Sequence, residues 1–260
     1  MQDLSLLSSA AFSNVRFVLT DMDETLTHRG RLSSRAYDAL ERLQSAGIKV
    51  IPVTAAPAGW CDQMARMWPV DGVIAENGGL FIRRATIGHG VQRSFWHAED
   101  CVDIKNRLAE MGRKVTRMIS QATLADDQPF RLASLAFALR DDQTCRKEMV
   151  AALHEAGANV AINNLWIICW LGGFDKLAMT RRVTNEFYGV NIEAERDSIL
   201  YCGDSGNDAP MFAFFRHTVG VSTVRNHLSE IPILPNWITK GPGGDGFVEA
   251  ADAVIASSLR

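Results

Sequence analysis

Residues 15–20, Val-Arg-Phe-Val-Leu-Thr, form a short apolar run that ends directly in Asp21-Met-Asp-Glu-Thr25. A run of that length and β-branched content reads as a buried strand, and the two carboxylates stand at its carboxyl end. Open α/β sheets place their ligand crevices there. Side chains alternate along extended chain, so Asp21 and Asp23 can share one pocket while Met22 turns into packing. Such a pair suits phosphoryl chemistry beside a hard cation, with one acid as nucleophile and the other as proton carrier. Read alone, the same residues also fit a turn or a helix cap, with Thr25 as the capping hydroxyl.

The chain that follows repeats the strand and helix rhythm. Ser33 or Ser34 can cap a helix carrying Ala36, Tyr37, Leu40 and Leu43, which Gly47 closes. Residues 48–53 form a second buried strand ending at Thr54, and a helix through Gln63, Met64 and Met67 leads to a third strand at 73–76 and the turn Asn77-Gly-Gly79. This order predicts a Rossmann-like α/β core, a parallel sheet with right-handed crossovers and helices on both faces.

Between residues 83 and 172 the period changes. Ile104, Leu108, Met111 and Val115 mark one helix face, whereas Leu135, Phe137 and Leu139 alternate with Ser134, Ala136 and Ala138 as a half-buried strand. Cys145, Met149 and Leu153 mark a second helix stopped by Gly157, and Asn163-Asn164 reads as the turn of an antiparallel hairpin. An inserted α+β cap at 83–172 is therefore expected, flanked by a core at 1–82 and 173–260. The core rhythm resumes with a helix carrying Leu177, Val183 and Phe187, then the strand 198–202, which runs into Gly203-Asp-Ser-Gly-Asn-Asp208.

Composition narrows the function classes. A net charge of −3 without a basic run argues against a nucleic-acid surface, and no apolar run is long enough to span a bilayer. The five cysteines (61, 101, 145, 169 and 202) are odd in number and lack a Cys-x-x-Cys pair. They read as reduced, mostly buried thiols of a cytoplasmic protein, a monomer or homodimer acting on a small molecule.

Taken together, Asp21-x-Asp-x-Thr25, Thr54 at a strand end, Lys176 near a helix start and Gly203-Asp-x-x-x-Asp208 occur in the order of four motifs, and the chain resembles the haloacid dehalogenase superfamily of hydrolases. The insertion between Thr54 and Lys176, with Glu76-Asn-Gly-Gly79, Asn207-Asp208 and Gly243-Gly244, is similar to the type IIB branch of sugar phosphatases, with the mannosyl-3-phosphoglycerate and sucrose-phosphate phosphatase group as the nearest likeness. The resemblance implies a Mg²⁺-dependent phosphoric monoester hydrolase. Asp21 becomes the nucleophile that forms an aspartyl-phosphate, and Asp23 protonates the leaving oxygen and later activates water. Thr54 binds a phosphoryl oxygen, Lys176 balances charge, and Asp204 and Asp208 complete the Mg²⁺ site with Asp21 and the backbone carbonyl of Asp23.

There is one departure. Many relatives carry a basic residue after the motif-two threonine, whereas Ala55-Ala56-Pro57 follows here, and Arg131 is the candidate to supply that charge. The cap strand is expected to offer Ser134, Ala136 and Ala138 as a roomy roof, with Arg131, Asn163, Asn164 and Trp166 as contacts for a phosphorylated sugar or glycoside. The alternatives are a phosphomutase and a phospho-accepting receiver domain. The large insertion and the second acid pair argue against the receiver.

Overall fold

The computed structural model describes residues 1–8, 10–98, 100–163 and 165–258. The chain runs β1 (Gln2–Asp3), β2 (Phe17–Thr20), α1 (Ser34–Ser45), β3 (Lys49–Pro52), α2 (Ala58–Met67), β4 (Val73–Ala75), β5 (Leu80–Arg84), β6 (Val91–Phe95) and α3 (Cys101–Met118). It continues through β7 (Leu135–Ala138), α4 (Gln143–Glu155), β8 (Asn159–Ile162), β9 (Trp166–Trp170), α5 (Lys176–Tyr188) and β10 (Ile199–Gly203). The last elements are α6 (Ala209–Phe214), β11 (His217–Gly220), β12 (Trp237–Ile238) and α7 (Gly243–Ser258).

The core is a six-stranded sheet in the order β1-β12-β11-β10-β2-β3, every pair parallel. Alternation along the strands builds two apolar layers. Val18, Val50, Leu200 and Cys202 meet Leu40 and Leu43 of α1 and Phe247 of α7 on one face. Phe17, Leu19, Ile51 and Tyr201 meet Val183 of α5 and Phe212 of α6 on the other. Chain order reverses between β2, whose next strand lies to one side, and β10, whose next strand lies to the other. The carboxyl ends of these two neighbours therefore open the crevice in which such sheets bind ligands.

One expectation needs correction here. Residues 73–75 pair as strand with β5 and β6 in a small antiparallel sheet, and they run parallel to β3 through the bridge Val53↔Ile74, packing in both apolar layers of the core sheet without joining its ladder. The reason lies in the turn that follows: Glu76 and Asn77 both take positive φ, and Gly78 takes φ +108°, so β5 folds back on β4. The N-terminal segment, which carries no strand signal, supplies the edge strand β1. Residues in β6, Val91 and Phe95, lean on the core cluster.

The second small sheet has the order β7-β9-β8, all antiparallel. Leu135 and Phe137 face Ile104, Leu108 and Met111 of α3 and Met149 and Leu153 of α4, as the alternation predicts. The opposite face is not a roomy roof. Ala136 is fully buried with Ala55, Ile168, Trp170 and Phe174, and Ser134 is bonded to a core carboxylate, so large side chains from β9 fill the space. Cys61, Cys145, Cys169 and Cys202 are buried and free, and the side chain of Cys101 lies outside what is described. Among the described residues no helix is long and apolar enough to cross a membrane.

Candidate active site

Asp21 follows β2 and Asp204 follows β10, so the parallel pairing of these strands sets the two acids side by side at the crevice. The next loop is shaped by Asp208. Its Oδ2 accepts the backbone N–H of Asp204 at 2.9 Å and of Ser205 at 3.1 Å, pulling Gly203-Asp-Ser-Gly-Asn into a tight turn. Its Oδ1 accepts from Lys176 Nζ at 2.7 Å and from the Tyr201 hydroxyl. Lys176 opens α5, where Asp175 caps the helix by accepting from Ala178 N. Its ammonium is buried and reaches Asp21 Oδ1 at 3.0 Å and Asn207 Oδ1 at 3.3 Å.

Thr25 donates to Asp204 Oδ1 at 2.9 Å, but Asp204 Oδ2 is buried without a hydrogen-bond partner among the described residues. A buried carboxylate oxygen in that condition is costly unless something positive meets it. Asp21, Asp204 and Asp208 each present an oxygen, and these atoms lie within 4.8 Å of one another. A set of three carboxylates with an orphaned oxygen and one shared ammonium fits a hard, oxygen-seeking divalent cation.

The electrostatics say the same. Burial, with Asp208 and Asp23 nearby, pushes Asp21 up to about 7 despite the contact with Lys176. Burial and the charges of Asp21 and Asp208 push Asp204 up to about 8. Asp23 is carried up to about 6, again mainly by burial. Burial alone would depress Lys176, but Asp208 and Asp21 outweigh it and the ammonium is held above its ordinary value. Burial first, and then repulsion among acids that share one ammonium, make Asp21, Asp23 and Asp204 keep their protons longer than they would in water.

Thr54 is fully buried beyond β3, with its Oγ1 accepting from Ala56 N at 3.0 Å. Asp23 is half-buried and, with Asp21, Ala55, Asn163, Leu165, Ser205 and Asn207, lines a space of about 20 Å³ above the acids. The cap hairpin thus reaches over the acids through Asn163, whose Oδ1 also accepts from Leu165 N and Trp166 N at 2.9 and 2.7 Å. Asn164 lies outside the described residues. Trp166 packs against the cluster of Ala55, Ala136 and Ile168. Arg131 is buried and faces inward: Nε and Nη2 donate to Asp127 at 2.9 and 2.7 Å, and Nη1 donates to the Ala55 carbonyl at 3.0 Å and Ser134 Oγ at 3.2 Å.

Several participants escape sequence reasoning. Tyr201 sits inside a strand and carries no motif signal, yet bonds Asp208. Glu76 accepts from Ala58 N in the core and from Leu132 N, Ala133 N and Ser134 Oγ in the cap. Its visible signal was the Glu-Asn-Gly-Gly run, which marks a turn without revealing a bridge between two layers.

Residues 18–149 match the family model described as haloacid dehalogenase-like hydrolase. The chain belongs to that family. It is 27% identical over 244 residues to a phosphoglycolate phosphatase of Methanoculleus marisnigri, a match covering 91% of this chain and 95% of that protein. Its fold is similar to that of protein 0175 of Thermoplasma acidophilum, with a TM-score of 0.73 at 18% identity, covering 93% of this chain and 99% of that one. The sucrose-phosphatase of Synechocystis sp. PCC6803, solved with sucrose and phosphate, has a TM-score of 0.64 at 14% identity, covering 92% and 97%. The expected haloacid dehalogenase fold, a parallel core with a small antiparallel cap, is thereby established.

Proposed function

We propose that this hydrolase is a Mg²⁺-dependent phosphatase of a small phosphorylated metabolite, a sugar phosphate or phosphorylated glycoside, working through an aspartyl-phosphate on Asp21. The observation that carries it is the excess of buried carboxylates over cations at the β2/β10 crevice, with Asp204 Oδ2 unpartnered among the described residues. Asp21, Asp204 and Asp208 would hold the ion with the backbone carbonyl of Asp23. Bound there, Mg²⁺ supplies charge neutralisation between an anionic nucleophile and an anionic ester.

The remaining steps belong to this chain's residues. The Asp21 carboxylate attacks phosphorus, the bond from phosphorus to the ester oxygen breaks, and Asp23 hands its proton to the departing alkoxide. Asp23, now ionised, takes a proton from water as that water attacks the phosphorus of the aspartyl-phosphate, releasing phosphate and restoring Asp21. An acid titrating near 6 can serve both turns close to neutral pH. The Thr54 hydroxyl, which accepts from Ala56 N, donates its own proton to a phosphoryl oxygen, and Lys176 keeps Asp21 oriented and balances charge. Arg131 braces the Ala55 carbonyl next to Thr54 from within. Residues 83–172 are the insertion between core segments 1–82 and 173–260, with β6 against the core and the part from α3 to β9 acting as the cap, in the cytoplasm.

Hydrolysis of a phosphorylated carboxylic acid is the second candidate, favoured by the name of the Methanoculleus relative. Phosphomutase activity would show as sugar isomers formed from a bisphosphate without net phosphate release. The test is a phosphate-release screen over sugar phosphates and phosphoglycolate, with Mg²⁺ and with EDTA. Mg²⁺-dependent release is expected, and turnover that survives EDTA undiminished would remove the metal from the mechanism.

A further inference from the structure

A cleft of about 370 Å³ opens within the cap, between one face of α3 and the segment that leads into β7. Lys105, Leu108, Ala109, Gly112, Arg113 and Thr116 recur at three- and four-residue spacing and form its first wall. Leu124, Pro129 and Leu132 belong to the second. The walls meet where Gly112 packs on Leu135, a Cβ at position 112 standing 3.2 Å from Leu135 Cδ1. None of these residues borders the space over Asp21 and Asp23, so the cleft is separate from the acids. Its volume falls in the range of small-molecule sites, roughly 300–1,000 Å³.

The chemistry of the walls decides what fits. Their neutral polar groups are already engaged. Gln128 accepts from Ala136 N at 2.8 Å and donates to the Ser134 carbonyl at 3.2 Å, Thr116 Oγ1 donates to the Gly112 carbonyl at 2.9 Å, and Ser134 Oγ donates to Glu76. A hydroxyl-rich ligand therefore finds few free partners. What the accessible walls offer is carbon, from Ala109, Pro129, Leu132 and Leu124, the last 44% exposed. Contiguous apolar surface along a groove marks a ligand site.

Charge supplies the other half of the recognition. Every charged side chain on the lining is a cation, in a chain whose acids outnumber its lysines and arginines 30 to 27. Arg131 is buried and held by Asp127. The other ion pair within the cap joins Arg146 to Asp141, so among the described residues the exposed Lys105 and Arg113 are unpaired. The acids of α3, Asp103 and Glu110, fall more than about 100° round the helix from the cleft face. Long stems lie over apolar surface while their charged ends stay free to meet an anion.

We propose that the cleft is a second binding site, for a free small amphiphilic anion whose apolar chain lies between α3 and Leu132 and whose anionic end meets Lys105 and Arg113. The second wall is also a segment that the core holds, Leu132 N donating to Glu76 at 2.8 Å. A ligand bridging that segment to α3 stabilises the docked cap.

The experiment is calorimetric titration of the full chain with octanoate, octylammonium and acetate. It is run on the wild type, on Lys105→Glu combined with Arg113→Glu, and on Ala109→Trp, whose indole fills the cleft from an exposed position. Octanoate should bind at one site about tenfold or more tightly than octylammonium, which shares its chain, and acetate, which shares its charge. Charge reversal should weaken octanoate by about tenfold or more, and Ala109→Trp should abolish its binding. The altered residues are exposed, so melting midpoints without ligand should stay near the wild type. Octanoate should raise the wild-type midpoint and bind equally well with inorganic phosphate and Mg²⁺ present. Equal affinity for octylammonium, no binding of octanoate, or no effect of charge reversal would overturn the inference. Displacement of octanoate by phosphate would place it at the acids, and retention of the chain on phosphatidylglycerol vesicles without uptake of octanoate would make this face a lipid contact; either overturns it as well.

Discussion

Two buried charge networks lie on either side of the Thr54 loop, and they differ in completeness. Around Arg131 the groups are matched: Asp127 takes its guanidinium in a two-point contact, and Glu76 spends its two oxygens on four donors drawn from core and cap. Around Lys176 one ammonium is divided between two acids, a third leaves an oxygen without partner, and Asp21, Asp23 and Asp204 rise to about 7, 6 and 8. Satisfied charge ties structure together, whereas frustrated charge waits for a ligand and is stored at functional sites. The first network fastens the cap to the core, and the second is where the proposed ion and phosphoryl group would sit.

This contrast can be broken most directly at Asp21. Asp21→Asn should cut phosphate release by about 10⁴-fold or more while leaving the melting midpoint equal or higher, since a poorly compensated buried charge is removed. Activity preserved in that variant would dissolve the proposed nucleophile. The opposite profile is expected of Arg131→Met, which should cost about 3–5 kcal/mol in urea denaturation because Asp127 is left buried and unpaired. A variant as stable as the wild type would mean that the network does not fasten the cap.

A smaller effect sharpens the comparison through pH. Asp21, Asp23 and Asp204 have folded values above the ordinary 3.8, so between pH 4 and 8 the folded chain binds more protons than the unfolded chain. Stability from these groups is full below that range and is lost as pH rises through 6 to 8. In EDTA the melting midpoint should therefore fall by a few degrees between pH 5.5 and 8.5, and added Mg²⁺ should restore more at pH 8.5. Identical midpoints under all four conditions would contradict a frustrated acid cluster. Least change is expected of Asn163→Ala. Losing the two turn bonds to Leu165 and Trp166 should cost about 1 kcal/mol, and kcat/KM should fall by about threefold or less. A hundredfold loss would promote the hairpin turn from roof to substrate contact.

The acid pair after β2, the glycine-rich loop after β10 and the lysine opening α5 were legible in advance because each stands at a fixed place in a repeating strand and helix pattern. Ser33, one of the two serines offered as a cap, likewise caps α1 by a local bond that short spacing encodes. Nothing local marked Tyr201, and the Glu76-Asn-Gly-Gly79 run marked a turn without showing what its side chains meet. Tyr201 reads as one more apolar strand residue until Asp208 meets it, and Glu76 looks like a turn acid until Ala58 of the core and Leu132 of the cap converge on it. The roof residues Ser134 and Ala136 had the right alternation, but its consequence depended on which side chains of β9 and which core carboxylate faced them.

By itself the sequence determined the parallel core, the order of its motifs and the acids that converge at the β2/β10 crevice, because periodicity and strand ends are local properties of a chain. Only the tertiary structure decided which charges find partners. Among the described residues Asp204 Oδ2 and the Asn77 amide remain without them while Arg131 and Glu76 do not, since hydrogen-bond satisfaction depends on groups brought together from distant positions.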